Sequence, residues 1–140
     1  MKTWIKAAAP ANKNISLRIV EDHEMQTLNL RYRHKDSTTN VLSFPCELPQ
    51  GIDDALMGDI VVCAEVIERE AKMQNKEIRA HWAHILIHGV LHLMGYDHIN
   101  DTDAVSMENL EISILKKLGF ANPYIVTGDS QENHARRPIE

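Results

Sequence analysis

No apolar run in this sequence of 140 residues approaches the roughly 20 residues that a membrane span needs. The amino terminus also lacks the long apolar stretch and small-residue cleavage site of a signal peptide, so a cytoplasmic protein without a membrane partner is expected. Cysteine is scarce. The 2 cysteines, Cys46 and Cys63, stand far apart, and a reducing compartment gives no reason to bond them, so both read as small buried hydrophobes. An excess of basic charge is lacking too. The net charge of -5 argues against broad electrostatic binding to nucleic acid, which normally leaves a positive imbalance, although a local basic patch is compatible with it.

What is present suits one soluble domain. Hydrophobic residues make up 44% and charged residues 25% of a chain long enough to bury a core. We expect a single domain over residues 1–126 and a polar, disordered tail over 127–140. Thr3 to Ala9 reads as a short helix stopped by Pro10, and Ile15 to Val20 alternates as a strand does. Asp22 can cap a helix running to about Leu30, with Met25, Leu28 and Leu30 available for burial, followed by a polar loop from Arg31 to Thr39. Asn40 to Phe44, closed by Pro45, and Gly58 to Ala64 read as two more strands. Helical periodicity marks Ala64 to Gln74 and Glu77 to Met94, the latter ended by Gly95. A last helix begins at Asp101 or Thr102, with Val105, Leu110, Ile114 and Leu118 as its apolar stripe. No repeat or low-complexity segment interrupts this order. The fold class is α/β (α+β): a small mixed sheet of three to four strands, covered by about five helices.

The eight histidines are unevenly spread, with His81, His84, His88, His92 and His98 falling in one short segment. His88 and His92 are four apart on one helix, so about 40° of rotation separates them and both rings can reach one ion. Gly95 ends the helix and lets the chain turn back, so that His98 can supply a third nitrogen. Three neutral histidines leave a tetrahedral zinc ion with one open position, the arrangement of a catalytic site; water there falls to a pKa of about 7. A lone histidine usually packs or faces solvent, but the spacing of these three reverses that expectation. His84, one turn back, reads as packing or as orienting a ligand. Asp97 reads equally as a partner for a ligand ring or as a cap of the turn. His81 is expected at the helix edge, and His23, His34 and His134 at the surface.

The spacing of His88, His92, Gly95 and His98 coincides with that of metzincin proteases, which place a glutamate directly after the first histidine as general base. Here that residue is Gly89, which counts against peptide hydrolysis.

The run from His84 to His98, with His88-Gly89-Val90-Leu91-His92 and Gly95-Tyr96-Asp97-His98 within it, resembles the signature of the YbeY family of bacterial rRNA maturation endoribonucleases. Leu28-Asn29, Tyr32-Arg33, Asp36, the block Thr39 to Pro45, and Gly58-Asp59 resemble further blocks of that family, over about Ile15 to Tyr124. The resemblance implies a single-strand-specific, zinc-dependent endoribonuclease acting in 16S rRNA 3' end maturation and ribosome quality control. It implies one Zn2+ on His88, His92 and His98, and catalytic roles for His88 and Arg33, a guanidinium suited to phosphate oxygens. His84, Asp97 and Ser43 are candidates for supporting or substrate contacts. Arg31 to Lys35 forms a local basic stretch around Tyr32 that could attract a nucleic-acid backbone. Implied partners are ribosomal RNA, the small ribosomal subunit and its platform proteins, and an Era-type GTPase. The family pattern also has a strand and loop ahead of the first helix, which here begins almost at Met1. An edge strand is therefore expected to be missing, exposing a sheet edge without touching the metal site.

Two rival readings remain at this stage. Hydrolysis of amide or peptide bonds would require an acidic side chain beside the zinc water. A non-catalytic ribosome-assembly factor would use zinc structurally, with a fourth ligand such as Cys46 or Asp97 closing the site.

Overall fold

The computed structural model describes residues 2–9, 13–45, 56–96 and 101–124. Cys46, Asp97, His98, His134 and the tail over 127–140 lie outside these residues. In chain order the elements are α1 (Lys2–Ala8), β1 (Asn14–Val20), α2 (Asp22–Arg33), β2 (Val41–Pro45), β3 (Leu56–Cys63), α3 (Ala64–Met73), α4 (Ile78–Leu93) and α5 (Asp101–Lys117). The result is a mixed α/β fold of five helices and a three-stranded sheet among the described residues, as the pattern of elements predicts.

The sheet order is β1-β3-β2, with β3 parallel to β1 and antiparallel to β2. Residues Ile60 to Cys63 of β3 are buried without alternation because helices cover both faces of the central strand. Ile60 and Val62 join Val41, Ile85, Leu86 and Val90 on the α4 face. Val61 and Cys63 join Leu42, Met25 and Val66 on the α2 face. Cys63 is a buried free thiol, whose pKa burial pushes up.

Helix α4 is the hub. Every residue from His81 to Leu91 is buried, since the sheet, α1, α3 and α5 all pack around it. A helix enclosed on all sides keeps no polar face, so only partnered polar side chains are tolerated there. Its far side, Ala83, Ile87 and Leu91, packs against Met107, Ile114 and Leu115 of α5.

Several local expectations shift. Asp22 is the first helical residue of α2; Glu21 holds the cap position, and the Asp22 N–H donates to Glu65 Oε1 at 2.7 Å. Helix α2 also runs three residues beyond Leu30, to where His34 takes a left-handed φ of 60°. Arg33 therefore sits on a helix rather than in a loop, and its exposed side chain has a defined base. Leu30 is exposed while Asn29 is buried, because the chain leaving α2 folds over the Asn29 face. On α5, Val105 is exposed and the buried stripe runs through Met107, Glu111, Ile114 and Leu115.

Candidate metal centre and the adjoining cleft

Four histidines, His81, His84, His88 and His92, form a row along α4, with ring centroids 6.1, 6.4 and 4.7 Å apart in sequence. The spacing of three and four residues keeps them on one side of the helix. The His88 and His92 rings are the closest pair. The helix then ends in a left-handed turn at Gly95, φ 100°, with Tyr96 N–H donating to Leu91 O and Gly95 N–H to His92 O, both at 3.0 Å. That closure satisfies carbonyls of the last turn and turns the chain away from the helix axis just after His92.

Glu111 of α5 reaches across to the middle of the row. It is fully buried, and its carboxylate receives His84 Nε2–H at 3.0 Å, His88 Nδ1–H at 2.5 Å and the Tyr124 hydroxyl. Burial pushes the Glu111 pKa up, but the bonds from His84 and His88 outweigh it and hold the carboxyl well below its usual range. An ionised carboxylate only accepts, so its partners must each present a hydrogen. His88 therefore carries its proton on Nδ1, and Nε2 is the ring atom through which it would bind an ion. Two adjacent imidazoles, one with its tautomer fixed by a buried carboxylate, fit a borderline-soft divalent ion such as zinc. Among the described residues no group of three ligands comes together; the third expected ligand, His98, lies outside them.

His84 is held in the same network by its bonds to Glu111 and Tyr124. Burial pushes its pKa down despite Glu111. Both shifts make the metal-free protein acid-labile. Stability contributed by neutral His84 is full above its ordinary value of 6.5 and is lost as pH falls below it; that of Glu111 follows below 4.5. Thermal denaturation in chelator from pH 7.5 downward is expected to show Tm falling in those two stages.

Ser43 of β2 donates to Gly89 O at 2.9 Å, pinning α4 to the sheet between His88 and His92. Gly89 faces that sheet: a Cβ there would lie 3.1 Å from Val41 Cγ2 and 3.3 Å from Ile60 Cγ2. The position that carries a general base in metzincins thus points away from the histidine row. Gly89→Glu would wedge an unpaired carboxylate between helix and sheet, and urea titration should show a loss of at least about 3 kcal/mol without any gain of peptidase activity.

Arg33 lines a separate cleft of about 340 Å³. Lys35 and Thr38 from the chain after α2, Glu70 of α3 and His81 of α4 share its wall, but His88 and His92 are not among its lining residues. The cleft meets the row at its first histidine, about three helical turns from His92. His81, expected at the helix edge, is 2% exposed and donates Nε2–H to Glu70 Oε1 at 2.9 Å. Burial raises the Glu70 pKa, yet the bonds from His81 and Asn40 bring it below the ordinary value.

Glu111, Tyr124 and Glu70 were not anticipated. Glu111 did carry a signal, a carboxylate four residues from each of Met107 and Leu115 on a buried stripe. Tyr124 and Glu70 carried none, since their partners come from distant elements.

Over residues 1–119 the sequence matches the family described as Endoribonuclease YbeY. It is 54% identical over 129 residues to the Endoribonuclease YbeY of Alcanivorax borkumensis, covering 86% of this chain and 74% of that protein. It is 55% identical over 111 residues to that of Colwellia psychrerythraea, covering 79% and 72%. The solution structure of TM1509 from Thermotoga maritima matches with a TM-score of 0.59 and 26% identity, over 84% of this chain and 75% of that one. Its sheet and helices, its histidine-bearing helix and these relatives lead to one conclusion: the chain belongs to the YbeY endoribonuclease family.

Proposed function

We propose that this protein is a zinc-dependent, single-strand-specific endoribonuclease that hydrolyses phosphodiester bonds in the 3' maturation of 16S rRNA and in ribosome quality control. The observation that carries the reading is the buried Glu111, which bonds His88 Nδ1 and thereby supports Nε2 as the atom that would bind an ion beside His92. A buried carboxylate bonded to two histidines of one row is what a metal-ligating histidine needs to be oriented and made more basic.

His88, His92 and His98 would hold the ion. When bound, zinc supplies Lewis-acid polarisation of a phosphoryl oxygen and an activated water at neutral pH. The chain's own residues do the rest. Glu111 keeps the proton on His88 Nδ1 and His84 braces that carboxylate from its other oxygen. Ser43 holds the helix at its distance from the sheet. Arg33, always charged and exposed at the end of α2, pairs with phosphate oxygens of the strand where it passes the first histidine of the row and so positions it for cleavage. The family resemblance further supports ribosomal RNA and the small subunit as partners, with its platform proteins and an Era-type GTPase. Among the described residues no helix is long and apolar enough to cross a membrane.

The test is cleavage of a labelled single-stranded RNA by zinc-loaded protein beside His92→Ala and Arg33→Ala purified identically. Loss in both variants supports the reading. Equal cleavage in all three, or none in any, would shift it to a zinc-stabilised assembly factor.

A further inference from the structure

Of the five buried side-chain polar atoms without hydrogen-bond partners among the described residues, one is His84 Nδ1 in the histidine row and the other four share one cleft. Among the described residues, Asn29 Oδ1, Thr38 Oγ1, Asn40 Oδ1 and His81 Nδ1 have none, and all four residues line the Arg33 cleft. Asn29, Asn40 and His81 are only 2%, 3% and 2% exposed. Unpaired buried polar groups are rare because each forfeits its hydration, so four around one cavity call for a ligand.

The chemistry of that ligand follows from how the other ends of these side chains are held. Asn29 Nδ2 donates to Ser37 O at 2.8 Å, and Asn40 Nδ2 donates to Glu70 Oε1 at 3.1 Å. His81 gives its Nε2–H to Glu70. Each amide nitrogen is fixed by an acceptor, so the two amides are left with accepting oxygens; the His81 atom left over is Nδ1, an acceptor in the tautomer that carries its hydrogen on Nε2. The Thr38 hydroxyl can turn to suit either role. The complement to such a set is a group rich in N–H donors. Arg33 and Lys35 stand on the same wall as cations, and Glu70, the one anion among the lining residues, is already bonded to His81 and Asn40. A cavity of about 340 Å³ lies within the range of small-ligand sites.

We propose that this cleft is a subsite for one unpaired nucleotide of the RNA strand and that it selects bases bearing an exocyclic amino group over uracil. The amino group donates to the acceptors of Asn29, Asn40 and His81, while Arg33 and Lys35 hold the flanking phosphate. A uracil carbonyl at the same point would face acceptors and leave them unpaired. The inference rests on the endoribonuclease reading for the strand, but not on the metal site.

Isothermal titration of the full chain with CMP and UMP, and with AMP and IMP, tests it, because each pair exchanges an amino group beside an accepting ring nitrogen for an oxo group beside a ring N–H at the same edge of the base. The expected result is tighter binding of CMP than UMP and of AMP than IMP, by about tenfold or more. Thr38→Val, which removes an unpartnered hydroxyl that can serve either partner, should leave Tm unchanged or raised and the preference in place. Equal affinity for CMP, UMP and inorganic phosphate would overturn the proposal, reducing the cleft to a cation patch. Absence of binding at millimolar nucleotide would also overturn it, leaving a water-filled cavity. Amino selectivity without RNA cleavage would sink the nuclease reading alone; cleavage without selectivity would sink the subsite alone.

Discussion

Replacing Glu111 by alanine is expected to weaken zinc binding by about 10- to 100-fold and to destabilise the metal-free protein by about 3–5 kcal/mol. Both losses have one cause. The carboxylate is fully buried and receives hydrogens from His84, His88 and Tyr124. Without it three donors remain in a dry interior with nothing to accept them, and His88 loses what keeps its proton on Nδ1. The ring can then place a hydrogen on the atom that must bind the ion. Glu111→Gln separates the two effects, because the amide keeps the volume and one accepting oxygen. It should recover part of the stability while zinc affinity stays low, since its NH2 end faces a donor. Competition titration of zinc against a chromophoric chelator and urea denaturation of chelator-treated protein read the two quantities independently. Zinc affinity unchanged in both variants would remove Glu111 from the site.

His92→Ala is expected to lower RNA cleavage by at least about a thousandfold, a loss of about 4 kcal/mol in transition-state stabilisation. His92 is half-buried beside Gly95, at the open end of the row, so its removal leaves no deep cavity and the fold should persist. The circular dichroism spectrum of the variant should match that of the parent, and zinc stoichiometry should fall below one per chain. Arg33→Ala should behave differently. Arg33 is an exposed residue outside the histidine row, so zinc content and stability should be retained while cleavage falls. A variant set in which Arg33→Ala lost zinc and His92→Ala kept it would invert the assignment of roles.

The sheet and helices were legible from periodicity because their patterns are local. In β1, the outer strand among the described residues, burial alternates from Ile15 to Arg18 before Ile19 is exposed and Val20 buried, and the unbroken Ile60 to Cys63 run announces a strand buried on both faces. Less legible was the end of α2. The polar run Arg31-Tyr32-Arg33 resembles a loop in composition, yet it continues the helix until His34 adopts a left-handed conformation. Val105 and Leu30 are apolar residues at helical spacing that stay 48% and 47% exposed, a fact decided by neighbours distant in sequence.

The spacing of the histidines on one helix face and the glycine that ends that helix can be read from the chain alone. Both follow from 3.6 residues per turn and from the freedom of Gly95 at positive φ, which are properties of a few consecutive residues. Which nitrogen of His88 carries the proton follows from packing, because it depends on Glu111, 23 positions away on α5. The same holds for the Arg33 cleft, where residues from α2, its following loop, α3 and α4 meet. A side chain's reach is set by its own helix, but its hydrogen-bond partner is set by which other helix packs against it.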